Sequence, residues 1–598
     1  MRSTTSSNEI MTIVRDNFKR FWTVPAFCLF LFLVSGFVPV VLLGTGDGLV
    51  DFSMISFNEN VGYVPCMLIL AIGSGMTVFS YLQSPSAANY VHSLPISRSK
   101  LFVANVLSGL LMIAAPIVIN GIIMSIVGMN ALFITWTIVT FICCAAMFAI
   151  TVFAAMISGN TLMHLFNAGF FNGVLTMILV VILAVCDSLL VGYETQGGLL
   201  DFILRSNALT AAIGETSRSW ICLAYLAVTA AFLIIAWLIY KKRPIERSGN
   251  SLIFSWTRAL LFLICVSCGA ILSGLFFATI LSADPTIGFN KDMIVGLVLG
   301  GLAVFVVGSV LIDRSAKIFT KRNILPAAIA LGLAFAVTLG MSADVLGYNK
   351  YVPEASEVKS VCIDTAHSEL FNSYDGDYSL ITFRGESVFY KEAKDTEEIA
   401  GMHYPGFSSE ESINAVIALQ QALINQERND MTELDCVKII YELNNGKHVT
   451  RSYNLYVPPD SDQTSFDLDP AIRKAAGDLY ESKEFKQIYS LNNLKDDYFE
   501  KGGITYCVDY DEEDPNDGFY AISNKDVEGL KEAMEKDFQE LGYDKAFQYK
   551  GVISIIRKDN NTYDEDSEEA FADVLDIPIP KDAKHTKAWL KEHEDLWK

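Results

Sequence analysis

The sequence predicts a multi-pass α-helical membrane protein, with about nine spans and its N-terminus inside, followed by a C-terminal soluble α+β domain. Two observations carry this. Long apolar runs crowd the first 340 or so of the 598 residues and are absent from the rest. Charge divides at the same place: Met1–Gly340 holds 18 Lys and Arg against 13 Asp and Glu, whereas the remainder holds 27 against 54. A mean hydropathy of +0.34 and a 52% hydrophobic content agree with the membrane class.

A helix needs about 20 apolar residues to cross the hydrocarbon core of a bilayer. Runs of that kind lie at Phe21–Leu43, Val61–Tyr81, Leu101–Ile126, Ala131–Ile157 and Phe170–Cys186, then at Ile221–Tyr240, Ala259–Leu281, Met293–Ile312 and Ile324–Met341. The first is too long for a signal peptide, lacks a cleavage site before soluble sequence and is followed by more spans, so it reads as an anchor. With the N-terminus inside, 15 of the 18 basic residues of this half fall on the cytoplasmic side, Arg98, Lys100, Lys241, Lys242 and Arg243 among them. Lys and Arg resist transfer across lipid, which sets the orientation, and an odd number of spans then places the acidic domain outside. Ser158–Gly169 is the weakest stretch in this count, with Asn160, His164 and Asn167 as its polar residues. His164 is expected to be an interfacial group satisfied by backbone or water.

Within the spans, Pro116 lacks an N–H and should bend its helix. Together with Asn120 it is a candidate hinge or cavity lining, against the plainer reading of a kink absorbed by packing. No buried carboxylate is expected to pair with a base across the spans, since Asp187 and Asp313 fall at span ends. That argues against ion-coupled transport, which needs a polar relay. Between the second and third runs, Ser86 to Lys100 is too polar to embed and too patterned for a plain linker. Tyr90, Val91 and Leu94 recur at helical spacing, so a short amphipathic helix ending at Pro95 is expected on the cytoplasmic face, with Arg98 and Lys100 at the headgroups.

The run Tyr90-Val91-His92-Ser93-Leu94-Pro95-Ile96-Ser97-Arg98, with Lys100-Leu101-Phe102 and the Pro-containing third span, resembles ABC-2 type ABC transporter permeases of Gram-positive bacteria. The resemblance covers about Met11–Lys242. It implies a six-helix transmembrane domain over residues 1–242 that pairs with a second permease as a homodimer or heterodimer. It also implies a coupling helix whose docking residues are Ser86, Asn89, Tyr90, His92, Leu94, Pro95 and Arg98, and separate ABC ATPase subunits that carry ATP and Mg. Three further helices over 243–342 and the acidic domain over 343–598 look like the extended permeases of clostridia and related Firmicutes.

No G-x-x-x-x-G-K-[ST] run occurs, so ATP hydrolysis is expected in a partner and not in this chain. Catalytic, cofactor-binding and metal residues are not indicated, as the chain has no G-x-S-x-G, no H-E-x-x-H and no metal spacing among its histidines and cysteines. Clusters at Asp509–Asp514 with Asp517 and at Asp564–Asp566 with Glu568 and Glu569 fail the EF-hand spacing and read as solvated loops. Acid of this density excludes nucleic acid as a partner. The acidic domain is expected to hold a hairpin, Glu433–Tyr441 and His448–Val457, around Asn444-Asn445-Gly446. Strands are also expected at Glu357–Ile363, Tyr378–Phe383, Gly503–Asp509 and Phe547–Arg557, and helices at Glu410–Arg428, Pro470–Glu481, Lys525–Leu541 and Asp582–His593. The function expected is that of a permease subunit driven by a separate ATPase. The alternative is a membrane-anchored sensor or resistance module whose external domain binds a peptide or envelope component.

Overall fold

The computed structural model describes residues 2–38, 62–127, 132–195, 197–213, 219–281, 289–315, 317–363, 396–399, 402–428, 431–459, 467–493, 502–508, 520–522, 527–546, 549–557 and 574–593. The expected strand Tyr378–Phe383, both acidic clusters and the end of the first span beyond Val38 lie outside these residues. The chain divides into two compact units. The first comprises Met1–Val185, Thr195–Ile280 and Phe289–Leu339, and the second comprises Cys186–Glu194, Leu281–Gly288 and Gly340–Lys598.

The first unit is helical. An amphipathic helix α1 (Arg2–Phe21) precedes α2 (Thr23–Phe32), which runs on as a π turn over Leu33–Phe37. The two meet at a 59° bend, a feature the apolar run starting at Phe21 did not announce. Asn17 fixes α1 by donating to Asn105 Oδ1 and Ser108 Oγ at 2.8 and 3.1 Å. Then come α3 (Tyr63–Val78), a 3-10 turn (Ser80–Gln83), α4 (Pro85–Ser93), α5 (Arg98–Val127), α6 (Leu132–Ile157) and α7 (Thr161–Leu189). Two short helices, α8 (Gly197–Arg205) and α9 (Ala208–Ile213), lead to α10 (Ser219–Lys242), α11 (Ser255–Leu281), α12 (Lys291–Asp313) and α13 (Lys321–Ser342).

Among the described residues seven helices are long and apolar enough to cross a membrane, or eight when the bent α1–α2 pair is counted as one span. The remaining expected run is present as the 16-residue α3. Helix α6 is the centre of the unit, packed by α3, α5, α9 and α10. Small residues let the backbones approach, as lipid offers helices no hydrophobic incentive to associate. A Cβ on Gly109 would sit 2.3 Å from the Phe148 ring, and one on Gly75 would sit 2.6 Å from Thr151. Helix α5 runs on as one element through Pro116. Asn120 is fully buried, and neither atom of its amide is hydrogen-bonded.

One sequence expectation needs correction. Asp313 is not a lone interfacial acid: Arg258 at the start of α11 pairs with it at 2.7 Å. Asn323 at the start of α13 accepts from Arg258 at 2.8 Å and donates to Asp313 at 2.5 Å. A carboxylate shared by a cation and an amide staples three helix ends. The sequence placed Arg258 in a different loop from Asp313 and Asn323 and could not show that they meet.

The second unit is α+β. Strands β1 (Val358–Ile363), β4 (Thr432–Leu443) and β5 (His448–Val457) form an antiparallel sheet in the order β1-β4-β5. Strands β2 (Thr396–Ile399) and β3 (Met402–Pro405) form a hairpin. Strands β6 (Gly502–Val508), β7 (Tyr520–Ile522), β8 (Tyr549–Arg557) and β9 (Val574–Pro580) form a second antiparallel sheet in the order β7-β6-β8-β9. The expected β4–β5 hairpin is present, and Gly446 at its turn takes φ +76°, a region that only glycine enters without strain. Alternation along β5 buries Arg451, Tyr453, Leu455 and Val457 on one face, against α14 (Glu410–Asn425). Ser409, Asp469 and Ser482 cap α14, α15 (Pro470–Glu481) and α16 (Lys483–Ile488) by accepting from backbone N–H groups. Helices α17 (Val527–Glu540), α18 (Tyr543–Ala546) and α19 (Lys584–Glu592) complete the layer, and buried Asp537 accepts from the N–H groups of His585 and Thr586 in the first turn of α19.

Lys486 is buried here with its ammonium over the Tyr480 ring at 3.8 Å, donating to the carbonyls of Phe538 and Leu541. Burial pushes its pKa down to about 8, with Glu481 and Glu535 opposing. The unfolded chain holds that proton up to a pKa of about 10.4. Between these values the unfolded state binds more protons, so stability rises with pH. Denaturant unfolding of the full chain between pH 8 and 9.5 should therefore show stability increasing, and Lys486→Met should flatten that slope.

Candidate docking loop and its arginine clamp

Helix α4 forms because Pro85 suits the first helical position, and Ser84 O accepts the first intrahelical bond from Ala88 N at 2.9 Å. It ends where Leu94 turns extended ahead of Pro95, as a residue before proline must. Ser86, Asn89, Tyr90 and Ser93 form an exposed stripe at three- and four-residue spacing, continued by Leu94 and Pro95. Tyr90 is 69% exposed, an unusual setting for an aromatic ring, while Ala88 on the opposite face is fully buried.

The sequence grouped His92 and Arg98 with this docking face, and the structure turns both inward. The His92 ring lies 6.1 Å from Tyr81 and 5.8 Å from Tyr240, whose hydroxyls share a hydrogen bond at 2.9 Å. Burial, with Arg98 and Arg243 nearby, pushes the His92 pKa down, which favours the neutral ring between the two tyrosines. Arg98 donates to the carbonyls of Lys241 and Arg243 at 3.2 and 3.3 Å, meeting the C-terminal end of α10. Five of the expected docking residues therefore face solvent, and two anchor the loop to the helix bundle.

The residue that sequence reasoning missed is Arg243. It counted there as one more cytoplasmic charge, yet it is only 3% exposed. Nη1 donates to Ala155 O at 2.5 Å and Met156 O at 2.8 Å, and Nη2 donates to Leu82 O at 3.0 Å and Ser158 O at 2.9 Å. Three of these carbonyls lie at the C-terminal end of α6, where a helix has no internal donors left and carries partial negative charge. The fourth, Leu82, belongs to the turn leading into α4. One guanidinium thus joins the ends of α6 and α10 to the base of the docking helix.

The weakest stretch of the sequence lies in the same place. α6 ends at Ile157 and α7 restarts at Thr161, with Asn160 accepting from Met163 N at 2.9 Å as a cap. The segment after α10 runs back along this break: Gly249 N donates to Gly159 O at 2.6 Å and Ile253 N to Ile157 O at 3.0 Å. Gly159 must be glycine, because a Cβ there would sit 2.1 Å from Asn250 O. Gly249 takes φ +93°, and a Cβ on it would sit 3.3 Å from the Pro85 ring. His164 is fully buried and, as expected, satisfied by backbone. Nε2 meets Thr151 O at 3.0 Å, so Nδ1 is the acceptor facing Gln83 Nε2 at 3.4 Å. Asn167 donates to Ser158 Oγ at 2.7 Å. Pro116 and Asn120 lie elsewhere, within α5, where the Asn120 amide lies toward the Tyr63 hydroxyl.

Among the described residues no group of three or more His, Cys, Asp or Glu is placed to hold a metal. Comparison with protein-family models, with curated proteins and with solved structures finds no match. What the chain is shown to be rests on its own architecture, a multi-pass helical membrane region with a mixed α/β C-terminal region.

Replacing Arg243 with Gln should orphan several buried carbonyls at about 1–3 kcal/mol each. The expected loss is about 3 kcal/mol in detergent unfolding, with faster hydrogen exchange across residues 82–94. Arg243→Lys should rescue little, since a point charge cannot fork to four acceptors.

Proposed function

We propose that this chain is the membrane-spanning subunit of an ATP-driven transporter, moved by a separate ATPase that docks on α4. The observation that carries the reading is the pairing of an exposed stripe with a rigid mount. Ser86, Asn89, Tyr90, Leu94 and Pro95 face outward, while Tyr81, Tyr240 and Arg243 tie the same short helix to the ends of the bundle. A partner that pushes on such a helix moves α6, α7 and α10 with it, as packed interiors transmit displacement. The likeness of this loop to ABC-2 permeases supports the assignment, as does the absence of a phosphate-binding loop from the sequence. In this reading ATP and Mg belong to the partner, and the permease pairs with a second copy or a related chain.

The orientation follows from the basic residues. Arg98, Lys241, Lys242, Arg247 and Arg258 sit at helix ends that the structure brings to one side of the first unit. On the positive-inside rule that side is cytoplasmic. With nine crossings the α+β domain is then extracellular.

Two experiments test the proposal. Tyr90→Asp, at an exposed position, should leave folding intact and lower both ATPase co-purification and permease-dependent nucleotide turnover at least tenfold; turnover that never depends on the permease ends the reading. Orientation is read at the exposed β4–β5 turn, because Cys362 is buried. Asn445→Cys should react with an impermeant maleimide on intact cells, and Ser86→Cys only after permeabilisation.

A further inference from the structure

Among the described residues of the second unit, Arg451 is a buried cation without a counter-ion. Arg451 falls on the inward-facing row of β5, in step with Tyr453, Leu455 and Val457, where strand alternation calls for an apolar side chain. It is 3% exposed, and its Nε and Nη1 have no hydrogen-bond acceptor. Its guanidinium lies over the Tyr348 ring at 3.8 Å and near the Tyr351 ring at 5.5 Å. Ring faces offset some of the loss of water, but a desolvated guanidinium still calls for an anion. No carboxylate pairs with it among the described residues, although this half of the chain carries 54 acids.

Arg451 lines a cavity of about 1000 Å³. Leu190, Met341, Leu346 and Val449 give that cavity an apolar wall, and Tyr193 and Tyr348 add rings 6.0 Å apart. The rim charges, Glu357 and Lys447, are opposite in sign and both exposed, so neither supplies the missing anion. Cys186 and Met341, which belong to the second unit, also line the cavity. Val345 and Leu346, just beyond α13, are 75% and 77% exposed, an arrangement suited to contact with acyl chains.

We propose that this cavity binds an amphipathic anion, with its phosphate or carboxylate head on Arg451 and its hydrocarbon body along Leu190, Met341 and Leu346. Head and body are both required: the unpaired guanidinium selects charge, and the wall selects an apolar tail. The site goes beyond the transporter reading and does not depend on α4, so failure of the Tyr90 experiment leaves it standing.

The test uses the full chain in a neutral detergent, with native mass spectrometry reading bound lipid. Phosphatidylglycerol, phosphatidylcholine and oleate are the probes, with inorganic phosphate as a tailless control. Retention of phosphatidylglycerol or oleate about tenfold above phosphatidylcholine is expected, and whichever of the two binds identifies the head as phosphate or carboxylate. Arg451→Gln should abolish the preference for charge. Leu346→Glu, at an exposed turn that does not threaten folding, should weaken binding of either anion about tenfold. Equal retention of phosphatidylcholine, retention unchanged in both variants, or full displacement by inorganic phosphate would each overturn the proposal.

Discussion

Helix C-termini leave carbonyls that nothing in the helix can satisfy, and in a lipid setting water is not at hand to do so. At the end of α6 this constraint is met by one side chain, Arg243, whose two terminal nitrogens reach four carbonyls on two stretches of chain. Much of the first unit is arranged around that solution. α10 must end where the guanidinium can reach, the α6–α7 break must be tight enough to need Gly159, and the turn before α4 must present Leu82. The aromatic group of Tyr81, His92 and Tyr240 then fills the space between the clamp and the docking helix. Positive charge, ordinarily a device for fixing which side a loop occupies, here has a second task inside the fold.

The second unit rests on an ordinary soluble core, with the inward rows of β4 and β5 packed beneath α14. Gln420, fully buried, shows how strictly polar groups are satisfied there, since it donates to Tyr453 and Tyr351 and accepts from Tyr441. Arg451 departs from that rule within the same sheet. Gln426 Oε1 and Arg428 Nε are also buried without a partner near the end of α14, and what sets Arg451 apart is its position on the inward row of the sheet.

Much of the architecture was legible in the sequence because its signals are local. Apolar runs mark the helices, alternation and the Asn-Asn-Gly turn mark the β4–β5 hairpin, and Pro85 and Pro95 bracket α4. What stayed hidden depends on residues far apart. Arg243 acquires its role from carbonyls 85 to 161 positions away, and the Arg258–Asp313–Asn323 group from three separate helices. The inward turn of His92 was also unreadable, because a nine-residue helix carries too little periodicity to separate its two faces, and that of Arg98 depends on the distant end of α10. The bend after α1 was missed because the apolar run starts at Phe21 and says nothing of the direction of the amphipathic helix before it.

Helix α7 has one property that follows from its first turns alone. Asn160, His164 and Asn167 bind it to the α6 end and to Gln83, while Met163 and Phe170 pack into the cluster formed by Leu261, Phe262, Phe305 and Ala330 of the three later helices. The same short length of helix is therefore a shared bearing between two bundles. On the transporter reading proposed above, a displacement entering at α4 would reach the three later helices through this shared contact and not stop at the first bundle.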